Sequence, residues 1–250
     1  VVLTASGIPT SGGTFSYGVT ANSTNGAAVC NKSITFVYRA MKILGLGTGA
    51  YQPATASTAE SSRAILASTA NFGITGTVNI QSLTIVNGDY SVGSVLKNLI
   101  NTNNIDIIVI GYNYVADAAS ISVLNDFVKN KKGVLIHSQE FDEISTGNLI
   151  NSICGSTSAV ASILGTTYTN PILNISDPVL NGPFGLIGGF SAGSDVNNSY
   201  YITGLPSNVT ALSTQNGNAG RTFAFKHNTL GYFFIGDSGW TAGSASNTST

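Results

Sequence analysis

Ile105-Asp106-Ile107-Ile108-Val109-Ile110 and Gly133-Val134-Leu135-Ile136-His137 are the two stretches whose reading decides the fold of this chain. Each is a short, nearly continuous apolar run, the pattern of a strand buried on both faces. Between them Asp117 stands where it can cap a helix bearing Ile121, Leu124, Phe127 and Val128 on one side. A strand, a helix and a second buried strand in that order argue for parallel pairing across a helical crossover.

The same alternation extends outward. Met41-Lys42-Ile43-Leu44-Gly45-Leu46 is another short apolar run, and Ser57 with Glu60 has capping-box spacing for a following helix. Thr77 to Val86 is β-branched and strand-like, and Val92, Val95, Leu96, Leu99 and Ile100 fall on one helical face. Leu149, Ile150, Ile153 and Cys154 form the buried face of a further helix, which makes Cys154 a core residue and not a nucleophile. Beyond about residue 155 the helical signal fades. Tyr200 to Thr203, Val209 to Ser213, Thr222 to Phe225 and Tyr232 to Ile235 read as strands, the last placed to return to the main sheet. The expected class is α/β, with a mostly parallel sheet and helices on both faces.

The first 39 residues read differently. Phe15, Tyr17 and Val19 alternate with polar residues, and Ser33-Ile34-Thr35-Phe36-Val37-Tyr38 alternates again after a Gly/Asn/Ser-rich turn. Two strands joined by a turn do not bury a core of their own. The sequence opens on Val1-Val2-Leu3-Thr4 in mid-pattern and closes on a Ser/Thr/Asn/Gly/Ala run, so we expect a segment of a longer chain. Two domains are expected, 1–39 and 40–250.

Composition narrows the function. Of 250 residues only 10 are basic and 11 acidic, so charged side chains make up 8%, against about 25% in an average soluble domain. A net charge of −1 leaves no electrostatic footprint for nucleic acid. No apolar run reaches the roughly 18 to 20 residues of a membrane-spanning helix. Ser, Thr, Asn and Gly supply 111 of the residues, a neutral polar coat that we associate with extracellular proteins. The charges cluster, 15 of the 21 falling in residues 39–143, where the strand–helix alternation is clearest. Cys30 and Cys154 leave open a mutual disulfide, pairing with strands elsewhere, or two free thiols. Two histidines and scattered acids point to no metal site and no cofactor. Six N-x-[ST] sequons begin at Asn22, Asn31, Asn174, Asn197, Asn208 and Asn247.

Three motifs carry candidate chemistry. Gly45-Leu46-Gly47-Thr48-Gly49-Ala50 matches a dinucleotide fingerprint, but about ten loop residues including Pro53 precede the first helix cap, where that chemistry needs a helix to begin among the glycines. Gly189-Phe190-Ser191-Ala192-Gly193 matches a nucleophile elbow, but turn-like residues follow where a helix must start. His137-Ser138-Gln139-Glu140 ends a strand at the carboxyl edge of the expected sheet, where open α/β folds place their ligands. Its imidazole, hydroxyl and carboxylate could polarise a water or hold a sugar. The plain alternative is a buried, hydrogen-bonded His137 and a Glu140 that opens a helix.

Lys132-Gly133-Val134-Leu135-Ile136-His137-Ser138 resembles a strand of the ThuA-like, class I glutamine-amidotransferase-like fold. Ser176-Asp177-Pro178-Val179-Leu180-Asn181-Gly182 is similar to that family's "DHPIxxG" turn, and Ala224 to Asp237 looks like its closing strand. The resemblance spans roughly residues 40 to 240 and implies a flavodoxin-like sheet. It carries no glutaminase chemistry, because His137-Ser138-Gln139-Glu140 lacks the elbow cysteine and Asp237 stands where the closing histidine belongs. Gly7-Ile8-Pro9-Thr10-Ser11-Gly12-Gly13-Thr14-Phe15-Ser16-Tyr17 resembles a strand of bacterial immunoglobulin-like surface repeats. Together these resemblances imply a non-catalytic structural or adhesive module of a large secreted bacterial cell-surface protein, of a kind often exported by type 9 secretion. Its partners would be neighbouring modules of the same or another chain. The alternative is a carbohydrate-binding or carbohydrate-active domain with His137, Ser138, Glu140 and Asp237 in its crevice and Tyr51, Tyr112, Tyr114 and Trp240 as stacking surfaces for a glycan.

Overall fold

The computed structural model describes residues 12–24, 26–138, 142–165, 169–173, 176–187 and 199–241. In chain order the strands are β1 (Gly13–Ser23), β2 (Gly26–Phe36), β3 (Met41–Leu46), β4 (Phe72–Gly73), β5 (Val78–Asn79), β6 (Leu83–Asp89), β7 (Ile107–Ile110), β8 (Val134–Ser138), β9 (Val160–Ile163), β10 (Asn181–Gly182), β11 (Gly185–Leu186), β12 (Tyr200–Thr203), β13 (Val209–Gln215), β14 (Asn218–His227) and β15 (Tyr232–Ile235). Four helices accompany them among the described residues: α1 (Glu60–Ala67), α2 (Gly93–Asn103), α3 (Ala118–Lys129) and α4 (Glu143–Cys154). Contacts divide the chain into two compact units. One holds the chain through Met41 together with Ala67–Leu83, and the other holds Lys42–Leu66 with the chain from Thr84.

The first unit contains an antiparallel ribbon. β1 pairs with β2 along its whole length, with Phe15 opposite Ile34, Tyr17 opposite Lys32 and Val19 opposite Cys30. Side chains alternate across a strand, so Phe15, Tyr17, Val19, Ile34 and Phe36 share one face, while Thr14, Ser16, Thr20, Ser33 and Thr35 share the other. The apolar face is open. Phe15, Tyr17, Val19 and Ile34 retain 39%, 44%, 40% and 45% of their surface, far above core values. The two-residue strands β4 and β5 pair in parallel, and Tyr38 bridges Ile80.

The second unit is mixed α/β around one large sheet of order β6-β3-β7-β8-β15-β14-β12-β9, with β13 beside β14. β3, β7, β8 and β15 run parallel, in the register Ile43 to Ile107, Ile108 to Leu135 and Leu135 to Tyr232. β14, β12, β9 and β13 extend the sheet antiparallel beyond β15. The closing strand at Tyr232 thus returns beside β8, as its apolar run suggests.

One face of this sheet carries the main core. Leu44, Leu46, Ile108, Ile110, Leu135 and Phe234 pack with Leu96 and Ile100 of α2, Leu124, Phe127 and Val128 of α3, and Leu149, Ile150 and Ile153 of α4. Asp117 caps α3 by accepting the Ser120 amide at 2.7 Å. That hydrogen bond and the one from the Ser120 hydroxyl hold its carboxyl below the usual value. The opposite face holds a smaller core in which Leu164, Leu180, Leu212, Phe223 and Ile235 meet Ile172 and Ile187. The helical packing is uneven: α2, α3 and α4 supply the main core, and the smaller core draws on strands and loops. β7 alternates half-buried and buried residues, so the apolar run at 105–110 is sealed on only one side. Val95 is exposed, and α2 meets the core through Leu96 and Ile100. A 3-10 turn at Ser57–Ala59 precedes α1, and no side-chain capping bond forms at the start of that turn. Cys30 is exposed and Cys154 is buried, and the two are not joined to each other.

Candidate functional site

The candidate crevice lies where β8 and β15 end side by side. Strand alternation sends successive side chains to opposite faces, so His137 and Ser138 part company at once. His137 enters the main core, where its Nδ1 lies 3.0 Å from the Tyr232 hydroxyl and its ring meets Phe234 edge-on at 5.2 Å. Both partners come from β15, the parallel neighbour. Burial pushes the His137 pKa down to about 3, so the ring is neutral at physiological pH. Burial also lifts the Tyr232 phenol well above its ordinary value, which keeps its proton available to the pair.

Ser138 is equally buried but faces the other way, and its Oγ donates to the Asp237 carbonyl at 2.8 Å. The Asp237 carboxylate accepts from Ser199 Oγ at 3.2 Å and from the Gly239 amide at 2.7 Å. These bonds tie the end of β8 and the turn after β15 to the residue that opens β12. Ser138 and Asp237 are thus brought together, with His137 on the far side of the sheet.

The tyrosines sit in the loop after β7. Tyr114 is buried and donates to the Ser91 carbonyl at 2.9 Å, and burial raises its phenol far above the ordinary value. The Tyr112 carbonyl accepts the Thr48 amide at 3.0 Å, and its ring meets Tyr51 edge-on at 6.2 Å. Glu140, Ser191 and the Trp240 side chain lie outside the described residues.

The glycine motif after β3 works by close approach. Gly47 has φ +126°, and a Cβ there would stand 2.6 Å from the Tyr112 carbonyl oxygen. At Gly45 a Cβ would meet Pro53 and Ala54 at 3.0 Å, because the loop folds back over the strand. Gln52 fixes that loop. Its Nε2 donates to the Gly45 carbonyl and to Asn87 Oδ1, and its Oε1 accepts the amides of Ala54 and Thr55. Nothing in the local pattern marks Gln52, one amide among small residues, as the most connected side chain of the loop.

Two further polar residues are structural anchors. Asp177 pairs with Lys226 at 2.6 Å and accepts the Val179 amide at 3.0 Å. Burial alone would raise its carboxyl, and the Lys226 ammonium with the Val179 amide bring it below the usual value. His227 Nδ1 accepts the amides of Thr229 and Leu230, which closes the turn between β14 and β15. Among the described residues no three His, Cys, Asp or Glu side chains are grouped to hold a metal ion, and no helix is long and apolar enough to cross a membrane. A scan against protein-family models and a search of curated proteins both give no match.

Proposed function

We propose that this chain is a non-catalytic structural or adhesive module of a large secreted bacterial surface protein. The observation that carries the reading is the open apolar face of the β1–β2 ribbon. Four large apolar side chains at roughly 40% exposure on one face of a two-stranded ribbon are unusual, because two strands alone are marginally stable in water. Strands from a neighbouring module, in the same or another chain, would cover that face and complete an immunoglobulin-like sandwich. In this reading residues 1–39 belong to that sandwich and residues 40–250 to a ThuA-like, flavodoxin-like domain. The neutral Ser/Thr/Asn/Gly coat supports an extracellular setting.

The crevice supports the non-catalytic part of the proposal. Ser138, Asp237 and Ser199 are engaged with one another and with backbone, and His137 is packed against Tyr232 and Phe234. A glycan or a reacting group would have to displace bonds that hold the sheet's edge together. That ranks a carbohydrate-active domain second.

The direct test is immunolabelling of intact source cells with antibodies raised against the chain. The proposal expects surface labelling without permeabilisation, and an antigen much larger than the 25.6 kDa of these 250 residues. An antigen seen only after lysis, or one that migrates at that mass, would overturn it.

A further inference from the structure

The second face of the parallel sheet holds a cavity that meets the crevice at Ser138 and runs from there beneath α1. Its volume is about 220 Å3, and its floor is laid in register by three parallel neighbours. Val109 of β7 lies opposite Ile136 of β8, and Ile136 opposite Phe233 of β15, so the three side chains form one apolar row. Gly45 is the residue of β3 opposite Val109, and the absence of a side chain there leaves Pro53 as the wall at that end. Leu66 and Arg63 of α1 form the other side. No residue of α1 is fully buried, so this helix stands over the sheet without pressing into it.

We propose that this cavity binds a compact apolar carboxylate, an aryl or branched alkyl acid of about ten non-hydrogen atoms. The size argument comes from the floor and volume. A dry apolar cavity of roughly 150 Å3 admits a single benzene ring, so a cavity somewhat larger takes a ring or branched chain with a short acidic arm. The charge argument comes from Arg63, the one charged residue lining it. Its Nη1 donates to the Ala56 carbonyl at 2.6 Å, which fixes the guanidinium at the rim and uses one of its five N–H donors. A positioned fork beside an apolar floor matches a carboxylate on an apolar body.

Titration of the whole chain with phenylacetate, followed by amide NMR shifts, tests the site. The neutral analogue 2-phenylethanol serves as the comparison ligand. We expect shifts at residues 109, 136 and 233 with a dissociation constant of about 0.1–5 mM, the range open to so small a ligand. The alcohol should bind about tenfold more weakly, and Arg63→Gln should abolish that difference while leaving alcohol binding unchanged. Leu66→Trp on the half-exposed wall should fill the cavity and block both ligands, with unchanged far-ultraviolet circular dichroism. No shifts at these residues up to 20-fold above the expected range would overturn the proposal. So would equal binding of acid and alcohol to the unaltered chain.

Discussion

At pH 7 the His137 ring is neutral in the folded chain and about a quarter protonated in the unfolded one, because burial moves its pKa from 6.5 to about 3. The unfolded state therefore takes up the proton first as the pH falls. Stability that is present above about pH 6.5 drains away toward pH 3. Between pH 7 and pH 5 this one ring should remove ~2 kcal/mol. Urea denaturation at the two pH values checks the figure, and His137→Gln, which can still meet the Tyr232 hydroxyl, should remove most of the difference. His227, lowered first by burial and then by nearby Lys129, acts with the same sign. Asp177 does so as well, since a depressed carboxyl stabilises above its unfolded value and loses that contribution as it protonates. At the glycines after β3, Gly47→Ala should cost roughly 2–3 kcal/mol through a strained φ and the Tyr112 carbonyl. Gly49→Ala, with φ +65° and open space at the Cβ position, should cost about 1 kcal/mol. Equal losses in a thermal melt would contradict the backbone-approach account of this motif.

Among the elements, those with strong local signals were legible from residues alone. The periodic face of α3, its Asp117 cap, the buried face of α4 and the four late strands all follow from apolar spacing and turn residues. Removing the cap with Asp117→Ala should lower stability by about 1 kcal/mol, seen as a shifted denaturation midpoint with unchanged slope. What periodicity did not reveal is how each second face is covered. β7 reads as doubly buried because all its residues are apolar, yet only one face meets helices, and the other meets the cavity beneath α1. His137 and Ser138 show the same loss of the second face. Adjacent residues on a strand look like a cluster in one dimension, and alternation separates them in three. Gln52 and Ser199 carry no sequence signal, because their partners are backbone groups and distant side chains, which leave no mark on local composition. For the ribbon, Phe15→Ser with Ile34→Ser should change the stability of the chain by less than about 0.5 kcal/mol for each residue. Phe225→Ala in the main core should cost ~3–5 kcal/mol in the same assay.

For the molecule as a whole, the contrast lies between an α/β unit that closes its own core and a ribbon whose apolar face stays open. The core unit pairs buried charges and anchors internally, as in the Asp177–Lys226 pair and the Asp237 carboxylate. The ribbon does the reverse and leaves four apolar side chains for something else to cover. Hydrogen exchange read along the chain, in these 250 residues alone and in a longer form that carries the proposed neighbouring module, tests the claim that a neighbour completes that sheet. The account predicts that amides of β1 and β2 exchange fast in the short form and become strongly protected in the long one, while those of β7 and β8 are protected in both. Equally fast exchange of β1 and β2 in the long form would contradict it.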